Sequence, residues 1–248
     1  MEGLRGLSID LWFTLIYDDI DNYRIFIDTR AAAIHSVVNV YREDVSLEDI
    51  HKILEEVRPF MMDTHPYKVL DMIRAALGID SEALDDMYRR YVDSVEVVNP
   101  NVNEDVLDVL DWALDKGVPI VLTTNTTYTE DMVWRLLRNK GLDRYFNSVV
   151  SSAEIEAGKP DKRIFREAAD RLGLKPSEMI HIGDKYIHDA VGSYLAGMRP
   201  ILYRGLWDKY GSFMGYGEGY SPTRYPPYIY VADSSREILK VFSSLLQE

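Results

Sequence analysis

The chain has 248 residues, 46% hydrophobic and 28% charged, with a net charge of -13 and no cysteine. That length holds one large domain, or a core with a smaller companion, and the mix is that of a folded soluble protein. The negative charge argues against a nucleic-acid partner, and the missing cysteine excludes disulfides, thiolate metal sites and a cysteine nucleophile.

The first apolar segment runs from Leu4 to Leu15, interrupted by Asp10. It is too short to cross a membrane and lacks a small-residue cleavage site, so the reading is a cytoplasmic protein without membrane contact. Leu4–Asp10 reads as a buried strand. Next, Tyr23, Phe26, Ile27, Ile34, Val37, Val38 and Tyr41 fall at helical spacing. Ser46 and Asp49 form a capping box before Ile50, Ile53, Leu54 and Val57. His65-Pro66 breaks the run. Val69, Leu70, Ile73 and Leu77 mark a third helix ended by Gly78, and Leu84, Met87, Tyr88, Tyr91 and Val92 a fourth. No strand is evident, so residues 17–98 read as an all-helical insert. It holds 18 acidic and 9 basic residues, the pattern of solvated helix faces.

Asn99-Pro100 marks the return to a second body made of residues 1–16 and 99–248. Helix 103–115 stops at Gly117. Strand 118–123, helix 128–140, strand 148–151, helix 161–172, strand 179–183, helix 186–196 and strand 199–203 follow. After a loop at 204–227 come strand 228–231 and helix 234–246. This alternation predicts an α/β fold, a mostly parallel Rossmann-like sheet covered on both faces. Nine of the 17 tyrosines lie between Tyr186 and Tyr230, and the loop reads as ordered surface.

Ligands of such sheets bind beyond the carboxyl ends of the strands. Three strand ends here carry polar residues: Asp10 to Thr14, Thr123-Thr124-Asn125-Thr126, and Gly183-Asp184 to Asp189. Lys159 sits just before a helix. Converging carboxylates suit a hard cation such as Mg²⁺, and the turn after Thr124 offers hydroxyls and free N–H groups to an anion. A cation beside an anion cradle fits a small anionic substrate, phosphorylated or carboxylated, attacked in line by an aspartate. Asn125-Thr126-Thr127 matches a glycosylation sequon, but its place in this turn marks it as a decoy.

The set Asp10…Thr14, Thr124-Asn125, Lys159-Pro160-Asp161 and Gly183-Asp184…Asp189 resembles, in order and spacing, the signature of the haloacid dehalogenase-like superfamily across residues 4–203. The helical insert looks like the cap that this family places after its first motif, with hinges near Ile16–Asp18 and Val98–Pro100. The resemblance implies a hydrolase, monomeric or homodimeric, with Asp10 as nucleophile. Asp10, the Trp12 carbonyl, Asp184 and Asp189 would hold Mg²⁺. Thr124, Asn125, Lys159 and Trp12 would border the substrate, with Thr124 and Lys159 assisting catalysis.

One departure matters. Phosphatases of this family carry a second aspartate as general acid two residues after the first, beside a glycine. Here those positions are Trp12 and Phe13. A general acid is worth about 10²–10⁴-fold, and an indole cannot replace it. Candidates to supply the proton are His65 and Tyr210, while His188 reads as a surface residue. An aromatic at this position also occurs in 2-haloacid dehalogenases, which use an arginine from the early cap; Arg30 and Arg42 are available. Those enzymes are metal-free, however, and lack the acid at Asp184. The expected function is therefore Mg²⁺-dependent hydrolysis of a small phosphorylated metabolite. Dehalogenase chemistry at Asp10 and a binding role without catalysis are the alternatives.

Overall fold

A computed structural model describes residues 4–18, 20–207 and 222–245. Its sheet has six strands: β1 (Gly6–Ile9), β4 (Ile120–Thr124), β5 (Ser148–Ser151), β6 (Met179–Gly183), β7 (Arg199–Tyr203) and β8 (Tyr230–Ala232). The order is β5-β4-β1-β6-β7-β8, and every pairing is parallel. The chain therefore moves outward from β1 through β4 to β5, then crosses back to β6 and continues to β8. Between β1 and β6 the direction of travel reverses, which opens the crevice where a sheet of this kind receives its ligand. Every residue of β1, β4 and β6 is buried. Helices cover both faces, so apolar residues need not alternate along these strands.

On one face, Leu7, Ile9, Leu122 and Ile182 pack with Val106, Val109 and Leu110 of α5 (Glu104–Lys116) and Leu136 of α6 (Glu130–Asn139). Trp112 of α5 meets Phe242 of α10 (Ser235–Leu245), their ring centroids 4.9 Å apart. On the other face, Val121 and Val150 pack against Ile164, Phe165 and Ala168 of α8 (Lys162–Arg171). Gly117 ends α5 in the left-handed conformation, φ 66°.

Between β2 (Ile16–Tyr17) and β3 (Asn101–Val102) run four helices: α1 (Ile20–Tyr41), α2 (Leu47–Met61), α3 (Pro66–Ala76) and α4 (Leu84–Asp93). The capping box at Ser46 and Asp49 is present. Pro66 opens α3 at its first turn rather than merely breaking a run, and His65 is the N-cap, its ring nitrogen accepting from the Tyr67 N–H. β2 and β3 pair antiparallel, a two-stranded tie at the entrance and exit of the helical insert. The sequence reading has no strand there, because two residues are too few to show a period of two.

Other boundaries shift by one to three residues. The helix expected over 186–196 opens as a π-helical turn, Tyr186–Val191, and becomes α9 only at Gly192–Ala196. A short helix, α7 (Ser152–Ile155), lies where none is expected. Of the tyrosine-rich loop, Arg204–Trp207 and 222–227 are described, and Tyr210 lies outside the described residues. No helix of the described residues is long and apolar enough to cross a membrane.

Candidate active site

Asp10 follows the last residue of β1, Thr124 ends β4 and Asp184 follows β6, so neighbouring strands deliver all three to one rim. The Lys159 loop approaches from the β5 side. Lys159 Nζ donates to Asp10 Oδ1 at 2.5 Å and to Asp189 Oδ1 at 2.6 Å, and all three side chains are buried. Thr14 Oγ1 lies 3.5 Å from both Asp10 Oδ2 and Asp184 Oδ1, a hydroxyl between two carboxylates. Oxygens of Asp10, Asp184 and Asp189 all fall within 4.8 Å of one another.

The electrostatics follow from this crowding. Burial pushes the Asp10 carboxyl above its usual range; Lys159 pulls it down, and the Asp189 charge pushes it up again. Burial also opposes ionisation of Asp189, yet Lys159 and the His181 hydrogen bond outweigh it and hold that carboxyl far below normal. For Lys159 burial disfavours the charge, but the two aspartates overcome it and raise the ammonium above an ordinary lysine. The donor set of Asp10, Asp184 and Asp189 is hard oxygen, buried and drawn to one point, so these residues fit a divalent cation such as Mg²⁺.

The backbone is shaped to the same end. A Cβ on Gly183 would collide with the Asp189 carboxylate, so only glycine fits there. Asp189 rides on the π-helical turn and takes the Lys185 N–H on Oδ2 at 2.9 Å. The Asn125 side chain clamps the backbone of Lys159 in two places: Nδ2 donates to the Lys159 carbonyl at 2.9 Å, and Oδ1 accepts the Lys159 N–H at 2.7 Å. The side chain of Asn125 is thereby engaged with the lysine loop, and what its turn offers an anion is backbone N–H. Trp207 Nε1 donates to the Asp184 carbonyl at 3.1 Å, which brings the start of the tyrosine-rich loop to the site.

Trp12 is half-buried, its ring 6.3 Å from that of Tyr128. Tyr128 in turn joins Phe26 and Tyr91 around the Arg30 guanidinium, which lies 4.0 Å from the Phe26 centroid, 4.8 Å from Tyr91 and 5.5 Å from Tyr128. Arg30 is buried, and its Nε and Nη2 have no hydrogen-bond partner among the described residues. Arg42, the other arginine considered from the sequence, pairs with Asp44 and the Leu77 carbonyl on the far side of α1. His65 is engaged in capping α3, and His188 is exposed. His181, unremarked in the sequence, is fully buried and hydrogen-bonded to both Ser8 and Asp189.

A parallel sheet with an aspartate at the end of its first strand, a lysine upon it and further carboxylates beside it is the arrangement of an α/β hydrolase. The chain belongs to the haloacid dehalogenase-like hydrolases: the model of that family matches residues 9–192. It is 29% identical over 185 residues to a glyceraldehyde 3-phosphate phosphatase of Methanopyrus kandleri, covering 71% of this chain and 76% of the relative. It is 26% identical over 217 residues to the pyrophosphatase PpaX of Bacillus mycoides, covering 86% and 87%. A 2-haloacid dehalogenase from Pseudomonas syringae pv. Tomato shares the fold, with a TM-score of 0.67 at 22% identity over 97% of this chain and 99% of that one.

Proposed function

We propose that the protein is a Mg²⁺-dependent phosphatase for a small phosphorylated metabolite, working through a phosphorylated Asp10. The observation that carries the reading is the buried ion cluster, in which Lys159 bridges Asp10 and Asp189 and an oxygen of Asp184 lies within 4.8 Å of theirs. Relatives named as phosphatases support the same chemistry. Asp10, Asp184, the Trp12 carbonyl and Asp189 would hold the Mg²⁺, which when bound would screen the repulsion between an anionic nucleophile and an anionic substrate. Thr14 Oγ1 lies within reach of Asp10 Oδ2 and Asp184 Oδ1, which would be among the oxygens offered to the cation, and Asp10 Oδ1 beside Lys159 would be the attacking atom. Oδ1 attacks, a P–O bond to Asp10 forms, and the ester oxygen leaves. Water then attacks the phosphorus and releases phosphate and free Asp10. Thr124 and the N–H groups of the Asn125 turn cradle the phosphoryl oxygens, and Lys159 holds charge where it develops. Residues 17–98 act as the cap over the site, and residues 1–16 and 99–248 as the core.

The test is phosphate release from p-nitrophenyl phosphate, whose leaving group needs no acid. Activity that requires Mg²⁺ and vanishes in Asp10→Asn is expected; turnover indifferent to Asp10 would sink the reading. One observation favours a second reading, hydrolysis of a 2-haloacid: the buried, unpartnered nitrogens of Arg30, which reach Trp12 through Tyr128. Halide release from an L-2-haloacid in EDTA, lost in Arg30→Lys, would establish it instead.

A further inference from the structure

A row of polar side chains crosses the centre of the sheet under the site. His181 on β6 contacts Ser8 Oγ on β1 through Nδ1 at 2.8 Å, and Ser8 Oγ shares a 2.8 Å hydrogen bond with Thr123 Oγ1 on β4. At the other end His181 Nε2 donates to Asp189 Oδ1 at 3.0 Å. Ser8, Thr123 and His181 have no exposed surface, and Asp189 has 1%. Phe165 meets the imidazole edge-on at 5.0 Å.

Such a row needs a reason, because apolar residues of like shape would fill these positions at no loss to the fold. The donor order is fixed at the acidic end. Asp189 only accepts, so Nε2 carries the proton. At Nδ1 the ring meets the Ser8 hydroxyl, which is itself hydrogen-bonded to Thr123 Oγ1. Every member is satisfied, and the imidazole is held at both nitrogens. Asp189 in turn receives three donors: Lys159 Nζ and His181 Nε2 on Oδ1, and the Lys185 N–H on Oδ2. The His181 bond reaches Asp189 from β6 and, with the Lys185 N–H on the other oxygen, sets the rotation of the carboxylate.

We propose that His181 is a positioning residue, which with Ser8 and Thr123 fixes the Asp189 carboxylate so that Lys159 stays between Asp189 and the nucleophile Asp10. The assignment rests on Asp10 being the reacting group. It makes the centre of the sheet, on the strands that lead to Asp10, Thr124 and Asp184, part of the machinery.

The experiment compares His181→Leu, His181→Gln, Ser8→Ala and wild type by p-nitrophenyl phosphate kinetics well below the melting temperature, and by calorimetric titration with Mn²⁺. Partners of this kind are worth about 10–100-fold in activity or metal affinity. His181→Leu should lower kcat by about that factor with KM little changed, and weaken Mn²⁺ binding by about tenfold. His181→Gln, whose amide donates to Asp189 and accepts from Ser8, should recover most of both; Ser8→Ala should fall between. A residue that only supports the fold would lower the melting temperature and leave the kcat of the folded enzyme unchanged, and that result overturns the proposal. So does an equal loss in Leu and Gln. If His181→Leu does not fold, Ser8→Ala against wild type decides on the same readouts. A wild type without phosphatase activity would sink the phosphatase reading alone, since the Mn²⁺ titration still reports whether His181 orients Asp189.

Discussion

Phe13 has φ 62°, the left-handed region that a bulky side chain seldom occupies, at the position where phosphatases of the family carry glycine. The strain is worth about 1–3 kcal/mol. Phe13 is also buried, 4% exposed, and deleting a buried phenyl ring costs about 3–5 kcal/mol. The ring wins: Phe13→Gly should be less stable by about 2 kcal/mol in urea unfolding despite its relaxed backbone. A more stable variant would mean that the ring contributes little packing. Its neighbour Trp12 bears on chemistry instead. With no acid at that position, the departing oxygen must leave unprotonated unless another group assists. Across a series of aryl phosphates, kcat/KM should fall steeply as the leaving-group pKa rises, and a flat series would reveal a proton donor elsewhere on the protein.

At the scale of elements, the first-motif loop is tied to the rest of the core through Asn103, just after β3. Asn103 Nδ2 donates to the Thr14 carbonyl at 2.8 Å and to Tyr203 Oη at 3.0 Å, and Tyr203 donates on to Asp105. Asn103→Ala strands a buried carbonyl and should cost about 1–3 kcal/mol by denaturant titration. Helix α6 carries a pH signature. Burial raises the Glu130 carboxyl, Arg171 offsets it in part, and Glu154 adds to the rise. A raised folded value means that the stability from protonated Glu130 is complete below the unfolded value and lost as pH rises through the folded one. Glu130→Gln should therefore melt above wild type at pH 7, with the gap closing toward pH 4; an equal gap at both pH values would contradict the shift. The sequence exposes the elements whose signals are local. α2, α3 and α4 show amphipathic spacing, a capping box and a proline at a helix start, and the strand ends show Asp10 and Asp184 directly. The β2–β3 tie, α7 and the π-helical turn are too short to carry a period. The row from Thr123 to His181 is hidden for another reason: a strand buried on both faces has no alternation, so only the register of three strands brings these residues into line.

At the scale of the whole molecule, the helical insert is tied to the sheet body on the β5 side. The Lys68 ammonium of α3 pairs with Glu156 Oε1 at 2.7 Å, the His65 N–H donates to the same carboxylate, and Ser152 Oγ donates to the Met62 carbonyl at 2.5 Å. A Cβ on Gly158 would strike the Asp63 carboxylate, so the turn after α2 lies directly on the segment that carries Lys159. The Lys68–Glu156 pair is exposed and worth under about 1 kcal/mol. A cation bound at the ion cluster, as the proposed function requires, would add to global stability. A ligand that binds only the folded state at 100 times its dissociation constant adds about 2.7 kcal/mol. Each kcal/mol moves the melting temperature of a chain this size by about 2–4 °C. Mg²⁺ should therefore raise the melting temperature by about 5–10 °C. In Asp184→Asn the shift should disappear, because the variant loses one of the carboxylate oxygens that would hold the cation. Equal Mg²⁺ shifts in both proteins would place the cation elsewhere and take the carboxylate cluster out of the reaction.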